Sequence, residues 1–304
     1  MVKPDDSYLS HHDQKIIDSR AREMLNRADA WDRFPIPIED ILDAAKLQVA
    51  PTSVFDPLSI VSYLKGKASQ VEDKLKSAVS KILGIYDSSE NIIHIDDSVV
   101  QSKQTFLKLH ETGHHEIPTH KKMFRFFQDC NQTLSPDIAD QFEREANNFA
   151  RYILFKGETY AEYAADSNFG IKIPLALAKK FGSSLYASCR EYARTNSRAC
   201  AVYILEPVEF VPNVGANACV RRIECSAGFL EKFGAPRDLA INEKHFLWNV
   251  VPIGRKMTRP TPVRMYDKNG QLHECLAEAF DTTHNVLVLL YPVKELETVV
   301  SMAI

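Results

Sequence analysis

The sequence contains no long apolar run. Its longest, from Val286 to Tyr291, is far shorter than the stretch of about 20 residues that crosses a bilayer as a helix. The first residues, Met1 to Gln14, are polar and lack the apolar core of a signal peptide. A net charge of −3 gives no global field that would attract nucleic acid or anionic lipid. We therefore expect a cytoplasmic protein without a membrane partner.

Closely spaced cysteine pairs are also missing. The six cysteines contain no C-x-x-C pair, which argues against a cysteine-based zinc site. In a cytoplasmic chain such cysteines are mostly small core residues. Internal repeats and low-complexity tracts are absent from the sequence, and its 45% hydrophobic and 25% charged residues are ordinary for a globular protein. A length of 304 residues then suggests two or three domains.

The residues that carry chemistry begin with His110 and His114, four positions apart in a run typical of a helix. Ser102 is the expected N-cap, and Pro118 ends the run. The spacing puts both imidazoles on one helix face, where they can bind one cation. Glu111 points elsewhere and can reach a water rather than the metal. This is the H-E-x-x-H pattern of zinc proteases, with the glutamate as general base. The alternative is a pair of partly buried histidines beside a surface glutamate.

Two histidines leave a catalytic zinc ion one protein ligand short. The candidate is Glu145, on a helix that begins near Ser135. Glu145 lies three residues after Phe142 and four before Phe149, inside the apolar face, where a carboxylate is costly unless it is paired or bound to a metal. Glu143 points about 160° away and is interpreted as solvated. A buried ion pair is the alternative role for Glu145.

Three segments together resemble the ImmA/IrrE metallopeptidases, namely Ile92–Asp96, Leu107–His115 and Glu143–Ala150. In that family a strand precedes the H-E-x-x-H helix, and a later helix supplies a glutamate ligand. The resemblance covers roughly residues 35 to 195. It implies that His110, His114 and Glu145 bind Zn²⁺ and that Glu111 is the catalytic base.

The resemblance also implies a function, that of a cytosolic zinc-dependent endopeptidase. The expected substrate is a partner protein, a helix-turn-helix transcriptional repressor, whose cleavage would derepress stress or mobile-element genes. Two alternatives stay open: a non-proteolytic regulator that keeps zinc as a scaffold and binds protein or DNA, and a peptidase-like toxin or defence component. Glu111 favours the enzyme, because a scaffold needs metal ligands but no base.

Other segments complete the prediction. His120, between the two zinc helices, is a candidate fourth ligand or oxyanion donor. Helices are predicted at Pro57–Leu64 and Ser69–Leu83, and a helix-turn-helix pair within Gly170–Thr195. Direct DNA binding by this pair is the less favoured interpretation, because Leu185, Tyr186 and Ala187 fill the start of its second helix, where DNA readout needs polar side chains.

The predicted fold class is α+β with two domains. Residues 1–195 would form a zincin-like, gluzincin-type peptidase domain, with helices around a small sheet, a helical lead-in and a helix-turn-helix-like end. Residues 196–304 are rich in short β segments and would form a sensor-like or partner-binding domain. The turn Asp267–Gly270 within this part predicts a hairpin.

Overall fold

The computed structural model describes residues 8–50, 84–87, 91–95, 99–121, 136–211, 215–252, 254 and 256–293. The helices predicted at Pro57–Leu64 and Ser69–Leu83 lie outside these residues, as does most of the segment that joins the two zinc helices. The described part mixes helices and sheets, as the predicted α+β class requires. Within it, every helix is too short or too polar to cross a bilayer.

The chain divides into two compact units. The first unit comprises Asp5–Tyr160 and Ala178–Ser184, and the second comprises Met1–Pro4, Ala161–Leu177 and Leu185–Ile304. Two short helices, α5 (Thr159–Ala165) and α6 (Lys172–Phe181), each contain residues of both units.

In its described residues, the first unit combines four helices with a small sheet. Its elements are α1 (His11–Arg27), α2 (Ile38–Ala45), β1 (Gln48–Val49), β2 (Gly84–Asp87), β3 (Ile92–Ile95), α3 (Gln101–Glu116) and α4 (Pro136–Phe155). Helix α4 packs against both α1 and α3. Helix α3 begins at Gln101, so the predicted N-cap Ser102 lies inside it, and it ends just before Ile117.

The close packing of α3 on α4 depends on small residues. A Cβ added at Gly113 of α3 would lie 3.2 Å from the Cα of Ala146 and 3.2 Å from a ring carbon of Phe149, both on α4. A larger side chain at either small residue would push the helices apart, because helix separation follows the size of the contact residues. Gly113 and Ala146 therefore mark the line of closest approach, with His110 and His114 close to it on α3.

The sheet of the first unit supports α3 from another direction. Strand β3 lies between β1, to which it is parallel, and β2, to which it is antiparallel. Ile93 and Ile95 are buried, as the alternation of the predicted strand requires. Since α3 contacts β2 and β3, the H-E-x-x-H helix lies against this sheet.

A buried lysine ties the end of α4 to the α1–α2 connection. Lys156 is fully buried, and its Nζ donates to the backbone carbonyls of Ala30, Trp31 and Arg33 at 2.6, 2.9 and 2.5 Å. The same ammonium lies 3.8 Å from the ring centroid of Phe34. A buried ammonium is tolerated when its protons are satisfied in this way.

The described elements of the second unit are α7 (Leu185–Thr195), β4 (Ala201–Leu205), β5 (Glu209–Val211), β6 (Gly215–Cys225), α8 (Ala227–Phe233), β7 (Ala240–Asn242), β8 (Thr261–Tyr266), β9 (Leu272–Asp281) and β10 (Val286–Pro292). These strands form a seven-stranded sheet with the order β5-β6-β4-β10-β9-β8, and β7 pairs with β6. Strands β8 and β9 form the predicted hairpin, which pairs Tyr266 with Leu272. The β-rich texture expected after residue 196 is therefore present.

The predicted helix-turn-helix segment contains the two helices expected, α6 and α7. Gly182 between them has φ +69°, in the left-handed region that favours glycine. Helix α7 packs on β4 and β6 and buries Cys189, Tyr192 and Ala193. This contact places α7 in the second compact unit.

Candidate metal centre

Two buried histidines of α3 form the base of the site. His110 and His114 are one helical turn apart, and their Nε2 atoms are 3.1 Å from each other. Burial lowers the pKa of His114 to about 4, which keeps the imidazole neutral and available as a ligand. Burial also opposes protonation of His110, but the hydrogen bond with Glu143 and the charge of Glu111 raise the pKa of His110. A cation bound here would therefore displace a proton from His110.

Glu143 of α4 completes the group. Its carboxylate oxygens lie 3.2 Å from Nε2 of His110 and 3.4 Å from Nε2 of His114. Partial desolvation opposes ionisation of Glu143, but the hydrogen bond from His110 and the contact with His114 hold its pKa well below the usual range. The side chain is 59% exposed, so the site opens to solvent on this side.

The three donor groups fit a zinc-sized ion. Ligands about 2.0–2.1 Å from a tetrahedral zinc ion lie roughly 3.3 Å from one another, close to the 3.1–3.4 Å separations of the donors here. Two imidazole nitrogens and one carboxylate also match a catalytic donor set. Among the described residues, this is the group of histidine, cysteine and acidic side chains close enough to share a metal ion.

The structure does not bring the predicted Glu145 to the histidine pair. Its Oε2 lies 2.8 Å from Nε2 of His120, and its Oε1 accepts a hydrogen bond from Gln141 at 2.8 Å. With 100° of rotation per residue, Glu143 lies about 60° from Ala146, and Glu145 about 100° on the opposite flank. The line of contact with α3 runs through Ala146, so Glu143 reaches the histidines. The apolar face predicted from the sequence is centred on Phe142 and Phe149, whereas the closest contact with α3 is at Ala146, opposite Gly113.

Glu111 is buried beside the histidines. Burial raises the pKa of Glu111 to about 7; the charge of Glu143 adds to the rise, whereas His110 and a hydrogen bond from the backbone N–H of Tyr86 oppose it. A carboxyl group with a pKa near the working pH exchanges a proton readily, as a general base must. The Tyr86 hydrogen bond also fixes the carboxylate relative to β2.

Neighbouring side chains orient the histidines. Nδ1 of His110 lies 3.1 Å from Oδ1 of Asn147. An amide oxygen can only accept, so Nδ1 of His110 carries a proton, and Nε2 is the nitrogen that would give up its proton to a metal ion beside Glu143. His115 turns away from the group and contacts the hydroxyl of Tyr86 at 2.7 Å, which joins α3 to β2.

His120 is close to the group but does not join it. Its Nδ1 lies 3.1 Å from Nδ1 of His114, and its Nε2 contacts Glu145. His120 therefore lies on the side of His114 that faces away from His110. Both ring nitrogens of His120 already have partners there. The fourth-ligand alternative for His120 has no support in this arrangement.

The fold and the site together define a class: a mixed helix-and-sheet unit with an H-E-x-x-H helix and a histidine–histidine–carboxylate group able to hold a divalent metal ion. Residues 73–191 match the model of the family Peptidase_M78, described as the IrrE N-terminal-like domain. This match confirms the resemblance to the ImmA/IrrE metallopeptidases over the stretch that contains α3 and α4.

Two other comparisons add little. A transcriptional regulator of Mycobacterium tuberculosis with a solved structure is similar at 13% sequence identity and a TM-score of 0.49. The alignment covers 90% of this chain and 75% of that chain. This likeness is too low to carry an argument. The comparison with curated proteins gives no match.

Proposed function

We propose that the chain is a zinc-dependent endopeptidase in which His110, His114 and Glu143 hold the metal and Glu111 is the general base. The observation that carries the proposal is the triangle of donor atoms with 3.1–3.4 Å sides beside a buried glutamate. The family match over the same helices supports it. A scaffold would need the donors alone, so a buried Glu111 beside them favours catalysis.

A zinc ion held by these residues would supply Lewis acidity to the carbonyl of a bound peptide. Glu111 would take the proton of the attacking water and deliver it to the leaving amine. Its hydrogen bond from Tyr86 and its burial keep it in place and exclude bulk water. Asn147 holds His110 in the tautomer that presents Nε2.

The sheet suggests how an extended substrate would bind. In the described part of the sheet β3 is paired on both sides, which leaves β1 and β2 as edges; of these, β2 is the one that contacts Glu111, so an added strand would lie along β2. The backbone N–H of Tyr86 in β2 donates to Glu111, so this edge reaches the base. A peptide that follows β2 would bring its backbone close to Glu111.

We propose, on the resemblance to the ImmA/IrrE metallopeptidases, that the substrate is a cytoplasmic helix-turn-helix repressor and that its cleavage derepresses stress or mobile-element genes. Direct DNA binding by α7 is disfavoured. The buried face of α7 is used against β4 and β6, and its first residues, Leu185, Tyr186 and Ala187, include no charged side chain.

The test is co-expression with a repressor encoded beside this gene. Glu111→Gln keeps the size of the side chain but cannot accept the proton, so cleavage should fall by about 10²–10⁴-fold while zinc content stays unchanged. Glu116→Gln makes the same change on α3, where Glu116 pairs with Arg27, and should cleave as wild type does. Repressor length is read by mass spectrometry and zinc by elemental analysis. Expression of the genes that the repressor controls is measured as well. If wild type and Glu111→Gln induce these genes equally, with the repressor intact in both, the protein is a binding regulator instead.

A further inference from the structure

A buried polar chain leads from α4 to the candidate metal centre. His120 is 0% exposed and lies between a carboxylate and an imidazole. Its Nε2 is 2.8 Å from Oε2 of Glu145, and its Nδ1 is 3.1 Å from Nδ1 of His114. The ring of His120 stacks on Phe142 with centroids 4.0 Å apart. The two hydrogen-bond contacts fix the orientation of the His120 ring, and the stack adds apolar contact.

Proton positions follow from these contacts. The Nε2 atom of His114 is the one that faces His110 and Glu143, so a lone pair there requires the proton of His114 on Nδ1. That N–H donates to Nδ1 of His120, which must then accept. The proton of His120 is left on Nε2 and donates to Glu145. This assignment satisfies both contacts of His120.

The carboxylate end gives the chain its strength. Glu145 is 14% exposed at its side chain and accepts from both His120 and Gln141. A hydrogen bond to an ionised acceptor is roughly twice as strong as one between neutral groups. Such a bond fixes the tautomer of the histidine and raises the basicity of the nitrogen at the far end.

We infer that Glu145 and His120 are positioning residues that hold His114 in its Nδ1–H tautomer and thereby strengthen metal binding by its Nε2. The inference rests on the proposed function, because it assumes that His114 is a ligand. It gives Glu145 a role in the site through His120 and without direct contact with the metal.

The experiment compares three variants of the full chain. His120→Phe keeps a ring on Phe142 and removes both nitrogens, and Glu145→Gln keeps the size but removes the charge. Both should raise the Kd for Zn²⁺, measured by chelator competition, by about 10–100-fold. Phe142→Leu removes the stacking ring and leaves the hydrogen bonds, so its Kd for Zn²⁺ should stay within a few-fold of wild type.

A second readout separates positioning from packing. In metal-free protein labelled with ¹⁵N-histidine, NMR should find His114 as the Nδ1–H tautomer in wild type and Phe142→Leu, and a mixture of tautomers in His120→Phe. A purely structural role would lower the melting temperature of the variants without changing the tautomer. If His120→Phe does not fold, Glu145→Gln decides the question by the same two measurements.

The outcomes distinguish the two proposals. The inference is overturned if His120→Phe and Glu145→Gln bind Zn²⁺ as tightly as wild type, while Glu143→Ala loses it. In that case the metal centre and the proposed function stand. If folded wild-type protein binds no Zn²⁺, the proposed function fails and the inference fails with it.

Discussion

The choice between Glu143 and Glu145 as the third ligand gives the most decisive prediction. A ligand that binds only the native state stabilises it by RT ln(1 + [L]/Kd), which is about 2.7 kcal/mol when free zinc is 100 times Kd. For a unit of this size that corresponds to a rise in melting temperature of about 5–11 °C. Glu143→Ala removes one of three donors, so we expect the zinc-dependent rise to disappear.

Glu145→Ala should behave differently. If Glu145 acts only through His120, the Kd rises by about 10–100-fold, and the same zinc concentration still contributes about 0.4–1.4 kcal/mol. Differential scanning fluorimetry with and without zinc measures both variants. Glu158→Ala is the matched control, since that side chain is 84% exposed and far from any zinc donor in sequence.

One result would refute the geometric argument. A full zinc-dependent rise in Glu143→Ala, combined with its complete loss in Glu145→Ala, would mean that α4 presents its other flank to α3. The close contact of Gly113 with Ala146 would then be incompatible with the functional arrangement.

Two further predictions concern the frame of the site. Lys156→Met removes the donor from three carbonyls and should cost roughly 2–5 kcal/mol in urea unfolding, whereas Lys180→Met, which loses a contact with Phe34 at 4.4 Å, should cost less than about 1 kcal/mol. Burial lowers the pKa of Lys156 from 10.5 to about 8, so the unfolded chain binds more protons between these values. Wild type therefore gains stability relative to Lys156→Met as the pH rises through that window; a constant difference from pH 7 to 10 would contradict this. Gly113→Ala places a Cβ 3.2 Å from the backbone of Ala146 and should destabilise the first unit by about 1–3 kcal/mol and weaken zinc binding, as equilibrium unfolding and chelator competition would measure. Unchanged zinc affinity in a stable Gly113→Ala protein would show that the helices can separate without disturbing the donors.

Local patterns in the sequence were sufficient for several features. The spacing of His110 and His114 determines that the two rings share a face once the segment is helical, because the helix repeat is a property of the backbone. The alternation in Ile92–Ile95 predicts a strand with a buried side, and the turn at Asp267–Gly270 predicts the hairpin that the structure contains. Each of these inferences needs only residues close together in the chain.

Features that depend on contact between two helices or strands were decided by the tertiary structure. A helix fixes the angle between Glu143 and Glu145, but the line along which α4 meets α3 decides which carboxylate faces the histidines, and that line runs through Gly113 and Ala146. The chain from Glu145 through His120 to His114 likewise joins residues on separate elements. The assignment of α7 to the second unit follows from its contact with β4 and β6. Sequence periodicity gives the faces of each element, and packing between elements selects which face becomes the site.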